Sequence, residues 1–326
     1  MSILITGGAG YIGSHTVKYF KEQNEEVIVV DNLQSGHKES ISVDNFYNID
    51  IRDKDKLKEV FKNHKIEAVI HFAANSLVAE SMKDPYEYYH NNVFGMLCLL
   101  DVMKDNNVQK IVFSSTAATY GEPKRVPILE DDETNPTNTY GETKLAMEKM
   151  MKWFDKAYGT KYVSLRYFNA SGAHESGLIG EAHDPETHLI PLILQVPLRK
   201  RRKIYIFGDD YKTEDGTCVR DYIHIMDLAL AHYKALEYLR KENDSDIFNL
   251  GNGNGYSVKE VIETARKVTN HPILAEVKER RKGDPAVLIA SSEKAKSVLG
   301  WKPQFDSLEK IIVDAWNWHK NNPNGF

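Results

Sequence analysis

Ser2-Ile3-Leu4-Ile5-Thr6-Gly7-Gly8-Ala9-Gly10-Tyr11-Ile12-Gly13 decides the fold. The apolar run from Ser2 to Thr6 has the length and composition of a strand buried on both faces, as in a parallel sheet. Gly7, Gly10 and Gly13 follow at a spacing of three, and a helical pattern through Val17, Tyr19 and Phe20 follows them. A glycine-rich turn from strand to helix lets the backbone approach a pyrophosphate and aims the free N–H groups of the helix start at that anion. Gly7, Gly10, Tyr11, Ile12 and Gly13 are therefore expected along a dinucleotide. The spacing Gly-x-x-Gly-x-x-Gly departs from the commoner Gly-x-Gly-x-x-Gly. The second strand-like run, Val27 to Asp31, ends in an acid. A carboxylate there accepts hydrogen bonds from the adenosine ribose diol and repels a 2′-phosphate, which favours NAD over NADP.

Further runs at Asn45–Asn48, Ala68–Phe72, Lys110–Ser114 and Tyr162–Arg166 alternate with helical stretches. That alternation predicts a doubly wound parallel α/β sheet with the cofactor at the carboxyl ends of its strands, near the switch in strand order. After Asn169 the elements become mixed: Leu189–Leu198 helical, Ile204–Phe207 strand, Asp227–Arg240 helical, Ile247–Leu250 strand and Val258–Thr269 helical. The expected division is a dinucleotide domain over 1–169 and a second, smaller mixed α/β substrate domain over 170–326. The boundary is interleaved, because the helix near 227–240 is placed to return to the first domain.

Composition excludes several classes. At 326 residues and 41% hydrophobic, the chain can bury a large core, and a net charge of −5 implies no nucleic-acid partner. Cys98 and Cys218 are too few for a disulfide framework or a thiolate metal site. No apolar run is long enough to span a bilayer, and the start runs directly into a core strand, so no membrane partner and a cytoplasmic location are expected. The basic run Arg199 to Lys203 is explained by a helix end and solvent. The histidines look scattered, with no ligand pair on one helix face, so no metal is expected. Gly251-Asn-Gly-Asn-Gly255 reads as a tight turn before a helix at Ser257.

The reactive groups lie at Tyr140-Gly-Glu-Thr-Lys144, a phenol and an ammonium on one helix face. A phenol with its ordinary pKa of about 10 is a poor base at neutral pH. A nearby fixed cation favours the phenolate, which can then take a proton from a substrate hydroxyl. Tyr120-Gly-Glu-Pro-Lys124 has the same spacing, but Pro123 argues against a continuing helix there. Ser115 and Thr116 follow the carboxyl end of Lys110–Ser114, where a hydroxyl can reach the same substrate oxygen as Tyr140.

The glycine turn and Tyr140-x-x-x-Lys144 occur together with His71-Phe-Ala-Ala74, Arg166-Tyr-Phe-Asn169 and Val219-Arg-Asp-Tyr-Ile-His224. As a set they resemble the extended short-chain dehydrogenase/reductase family, and within it the UDP-glucose 4-epimerase family, over almost the whole chain. The resemblance implies a Rossmann-like fold, tightly bound NAD, a UDP-hexose substrate and a homodimer paired through helices Pro85–Met103 and Tyr140–Tyr158. The implied reaction is interconversion of UDP-galactose and UDP-glucose through a 4-keto intermediate.

Residue by residue, the resemblance makes Tyr140 the base and gives Lys144 the nicotinamide ribose. The catalytic hydroxyl falls on Thr116, with Ser115 the near alternative. Asn32 joins Asp31 at the cofactor, Asp50 and Ile51 lie beside the adenine, and Phe72, Ala73 and Asn91 run along the cofactor. Tyr167 helps hold the nicotinamide. Asn169 contacts the pyrophosphate or sugar of the substrate, which Arg220 and Arg281 clamp, with Asp284 on the uridine ribose and His188 near the nucleotide. Leu288 falls at a gate beside the C2 substituent, where an intermediate size implies activity on UDP-GlcNAc and UDP-GalNAc as well. Ser76 departs from the pattern, since many relatives carry a cofactor-contacting lysine there. Ala117 and Ala118 stand where sugar dehydratases and decarboxylases place an acid. Another NAD-dependent nucleotide-sugar enzyme, such as a uronate 4-epimerase or dehydratase, is the alternative. A non-catalytic NAD sensor is a further rival, although such proteins tend to lose the Tyr or Lys retained here.

Overall fold

The computed structural model describes residues 1–281 and 284–326. Its strands are β1 (Ser2–Thr6), β2 (Val27–Asp31), β3 (Asn45–Asn48), β4 (Ile66–His71), β5 (Lys110–Ser114), β6 (Lys161–Tyr167), β7 (Asn169–Ser171), β8 (Ile204–Phe207), β9 (Val219–Arg220), β10 (Tyr222–His224), β11 (Asp246–Leu250), β12 (Tyr256–Ser257), β13 (Ala275–Lys278) and β14 (Val287–Leu288). Seven of them form one parallel sheet in the order β11-β6-β5-β4-β1-β2-β3. The order reverses between β1 and β4, where a crevice opens at the carboxyl ends of the strands.

The apolar strands explain the two covered faces. Successive side chains point to opposite sides. Ile3, Ile5, Val29 and Ile70 therefore pack with Phe20 and the helix Ile225–Arg240, through Leu228, Ala231, Ala235 and Leu236. Leu4, Ile28, Val30 and Val69 pack on the opposite face with Leu57, Leu99, Met103 and Met147. A third cluster gathers Ile193, Leu194, Ile206, Val261, Ile262 and Ile311 in the later part of the chain. Residues 225–250 thus give the first sheet both a covering helix and its edge strand β11.

Local chemistry sets the boundaries. The helix Leu189–Leu194 stops short of the expected Leu198, in a turn that carries Pro197 and a left-handed Arg199 at φ 61°. Ser257 caps the helix Val258–Thr269 through a capping box with Glu260. The stretch Pro85–Asp105 is helical throughout but widens into a π-turn at Tyr89–Phe94. That turn buries the adjacent Asn91 and Asn92 together, and such turns recur at functional sites.

Candidate active site

The glycine turn is built for close approach. Gly7 has φ +72°, and a Cβ on it would meet the Ala73 nitrogen at 2.5 Å. A Cβ on Gly13 would meet the Gly7 carbonyl at 2.1 Å, so the helix Tyr11–Glu22 can start directly against the turn only with glycine there. Gly10 caps that helix without any side-chain bond, which leaves the first-turn N–H groups free for an anion. Both oxygens of Asp31 accept backbone N–H bonds, Oδ2 from Ala9 at 2.9 Å and Oδ1 from Leu33 at 2.8 Å. This fixes the carboxylate in the crevice with lone pairs to spare. Burial raises its pKa.

One cleft is lined by Gly7, Gly10, Tyr11, Ile12 and Gly13, by Asp31, Asn32, Asp50 and Ile51, by Phe72, Ala73, Ser76 and Asn91, and by Tyr140, Lys144 and Tyr167. Every residue expected at the cofactor thus faces a single crevice. Its glycine turn, free helix start and fixed acid suit a dinucleotide. Ser114, Gln34, Ser35 and His183 line the same cleft and carry no recognised motif. Asp50 is engaged by Arg52 and Asn32, and the Arg52 guanidinium holds its carboxyl down at about 2.

The helix Thr139–Tyr158 carries the reactive pair. Asn138 caps it, and Ser81 Oγ accepts the Tyr140 N–H at 3.1 Å. Gly141 is required by packing, since a Cβ there would meet the Ala118 carbonyl at 2.5 Å. The short turn Ala117–Thr119 therefore lies against the helix start, and the Thr116 hydroxyl is near enough to Tyr140 to favour its ionised form. Asn92 ties the helix to the loop after β4, donating to Thr143 Oγ1 and to the Asn75 carbonyl, both at 3.0 Å. Lys144 Nζ donates to the Ser114 carbonyl at 2.7 Å and lies 4.9 Å from the Phe113 ring centre.

The electrostatics differ from the sequence expectation. Burial pushes the Tyr140 phenol up to about 12, against a smaller downward pull from the Thr116 hydrogen bond. Burial likewise pushes the Lys144 ammonium down to about 7, with Glu148 pulling it back up. Within the protein alone, desolvation therefore outweighs the effect of the helix cation, and phenolate formation needs further positive charge.

Ser115 does not join this group. Its hydroxyl donates to Glu148 Oε1 at 2.5 Å, beside the buried Arg166–Glu148 pair, so it faces away from the cleft. Of the two hydroxyls, it is Thr116 that pulls the Tyr140 phenol down. Tyr120 donates to Asn249 at 2.7 Å with no helix after it, as Pro123 implies.

Among the residues expected at the substrate, only His188 lines the cleft. Arg220 donates to Asp284 rather than to Asp221 or Asp227, and Leu288 pairs in register with Arg220 across β14 and β9. Asn169 donates to the Asp221 carbonyl at 2.9 Å. The Arg281 guanidinium stacks 4.1 Å from the Phe207 ring centre. The scattered histidines of the sequence are not all scattered in space, because His183 and His188 meet Glu181 and Glu186. Those carboxylates raise the pKa of both imidazoles against burial, that of His183 to about 10.

Comparison with known proteins places this geometry. UDP-glucose 4-epimerase of Halalkalibacterium halodurans is 63% identical over 326 residues, covering 100% of this chain and 98% of that protein. A crystal structure of a UDP-glucose 4-epimerase superposes with a TM-score of 0.99 at 58% identity, covering 100% of this chain and 99% of the other. The enzyme of Bifidobacterium longum, solved with NAD+ and UDP, superposes with a TM-score of 0.94 at 40% identity over 100% of both chains. No helix among the described residues is long and apolar enough to cross a membrane. The model of the NAD dependent epimerase/dehydratase family matches residues 3–251, most of the sequence, and the chain belongs to that family.

Proposed function

We infer that this chain is a UDP-glucose 4-epimerase, interconverting UDP-galactose and UDP-glucose by reversible inversion at C4 with NAD as its bound cofactor. The observation that carries this reading is the convergence of Tyr140 and Lys144 in the cleft that also holds the glycine turn and Asp31. NAD, held by the glycine turn, Asp31 and Lys144, would supply reversible two-electron chemistry at C4. Tyr140 takes the C4 hydroxyl proton and gives it back after the 4-ketose has turned over. Thr116 orients the hydroxyl and shares its proton, and Lys144 stabilises the Tyr140 phenolate. The cycle demands a site that grips the nucleotide and leaves the sugar loose. Arg220, Arg281, Asp284, Asn169 and His188 form the grip, with planar guanidinium groups suited to phosphate oxygens. On substrate entry, the Arg220–Asp284 pair opens to the pyrophosphate and the uridine ribose.

Ala117 and Ala118 supply no acid beside Thr116, which favours proton and hydride transfer at one carbon over dehydration or decarboxylation. Leu288 leaves room at C2, so UDP-GlcNAc and UDP-GalNAc are also substrates. The division into a cofactor half before residue 170 and a substrate half after it follows the same assignment, with 225–250 contributing to the first sheet. The acting form is a cytoplasmic homodimer. Tyr86, His90 and Phe94 stack one on the next along one helical stretch and, with Leu97 and the neighbouring Trp153, offer exposed apolar surface for a partner copy. Purified protein incubated with UDP-galactose and no added cofactor should yield UDP-glucose. A requirement for stoichiometric NAD, released as NADH, would refute the reading.

A further inference from the structure

The loop between β7 and the helix Leu189–Leu194 carries Glu181-Ala-His183-Asp-Pro-Glu186-Thr-His188. One donor atom from each of Glu181, His183, Glu186 and His188 lies within 4.8 Å of the other three. Nδ1 of His183 is 3.1 Å from Glu181 Oε1 and 3.7 Å from Glu186 Oε2. Nδ1 of His188 contacts the same oxygen of Glu181. Four donors around one ion at about 2.0–2.2 Å must themselves stand roughly 3–4 Å apart. The two His183 contacts already stand at that spacing, and every other pair lies within 4.8 Å.

We propose that Glu181, His183, Glu186 and His188 bind one divalent metal ion of the zinc class, as a structural site that pins this loop along the cofactor cleft. Three features beyond proximity support it. The first is charge. A bound metal displaces the protons of its imidazole ligands, and the two carboxylates and two neutral imidazoles then total −2, which a divalent cation cancels. The Glu181 and Glu186 side chains are only 4% and 7% exposed, and among the described residues their only ion-pair partners are the two histidines. Buried carboxylates demand a compensating cation. The second is donor chemistry. Magnesium and calcium take oxygen ligands, whereas a mixed imidazole and carboxylate set suits zinc.

The third is the outer support. Glu186 Oε1 accepts the N–H groups of Thr187 and His188 at 2.7 and 2.8 Å, which turns Oε2 toward the cluster. Trp318 Nε1 donates to the Glu181 carbonyl at 3.1 Å and fixes the start of the loop. Such partners orient metal ligands. Four protein ligands close the coordination sphere, as in structural rather than catalytic zinc sites. His183 and His188 also line the cleft beside Gly10 and Tyr11, so the ion would stiffen its wall while leaving Nε2 of His188 free.

The test measures metal, not turnover, and is therefore independent of the reaction assigned above. The untagged chain, stripped with a chelator and dialysed against zinc, should hold one zinc per chain by mass spectrometry and melt at a higher temperature than the stripped chain. Glu186→Gln and His183→Ala, each verified as folded by circular dichroism, should bind at least about 100-fold more weakly in competition with a chromogenic chelator. His64→Ala, remote in sequence and bonded to Tyr47, should bind as the parent does. Absence of stoichiometric zinc from the parent chain, or equal affinity in the parent and both cluster variants, would overturn the site and leave a purely ionic cluster.

Discussion

Lys144 Nζ lies 5.9 Å from the centre of the Tyr140 ring, one helical turn along, and is held by the Ser114 carbonyl rather than by the phenol. The ammonium is thus placed to act on Tyr140 through space, while the nearby Thr116 hydroxyl favours the ionised phenol. Removal of the phenol and removal of its partner therefore have different sizes. Tyr140→Phe should lower kcat by about 10²–10⁴-fold, the range for general acid–base groups. Thr116→Val removes one hydrogen bond, worth about 1 kcal/mol net, and should cost closer to tenfold. Steady-state kinetics with UDP-galactose, checked against unchanged NAD content, separates the two. Equal losses in both variants would contradict the assignment.

The pH dependence follows from burial. Desolvation holds Tyr140 up at about 12 in the protein alone, and an added positive charge favours the phenolate. The oxidised nicotinamide ring is positively charged and the reduced ring is neutral. Tyr140 should consequently ionise at lower pH in the oxidised enzyme than in the reduced enzyme. Turnover should rise with pH through the lower of these values, because the base must be ionised. Ultraviolet difference titration of the two forms reads the shift, with Tyr140→Phe as the blank. Identical titrations would remove the electrostatic argument.

Behind Lys144, the next turn of the helix places Glu148 against Arg166, Nε to Oε1 at 3.0 Å, with both side chains 4% exposed. Loss of one partner strands a buried charge. Glu148→Gln should destabilise by about 3–5 kcal/mol, and Glu148→Met with Arg166→Leu should recover much of the loss. Urea denaturation measures both. A single variant as stable as the parent would show that the pair contributes little.

The contrast between these residues explains what the sequence could disclose. The cofactor side was legible because its groups sit in short local motifs at the ends of apolar strands, from Gly7–Gly13 to Asp31, Phe72 and Tyr140–Lys144. Glu148 and Arg166 meet only because β6 lies beside the helix that precedes it, and nothing in their spacing announces a pair. Arg220, Asp284 and Leu288 come together through the pairing of β9 with β14, which two-residue strands do not advertise. The Glu181–His188 cluster does not show as histidines on one helix face because its residues come from a loop. Ser115 and Thr116 are adjacent hydroxyls in the sequence, and only the fold shows that Ser115 is engaged by Glu148.

Specificity at C2 should rest on Leu288, half-buried on β14 opposite Arg220. Leu288→Tyr should abolish most turnover of UDP-GlcNAc while leaving UDP-galactose within a few-fold of the parent. Equal turnover of the N-acetylated sugar by both forms would release Leu288 from that role.

Assembly should depend on the exposed aromatic stripe. Trp153 is 65% exposed beside the helix that carries Phe94 and Leu97. Trp153→Glu combined with Leu97→Glu should convert a dimer into monomers by light scattering, without loss of helical content. A parent chain that is already monomeric at micromolar concentration would contradict the pairing.

The central claim is that one carbon gives up its hydrogen and receives the same hydrogen back inside a closed site. UDP-galactose labelled with deuterium at C4 tests it directly, by mass spectrometry and NMR of the UDP-glucose formed in ordinary water with no added cofactor. The account predicts full retention of deuterium at C4. Replacement of the label by solvent hydrogen would show that the proton and hydride roles assigned to this cleft are wrong.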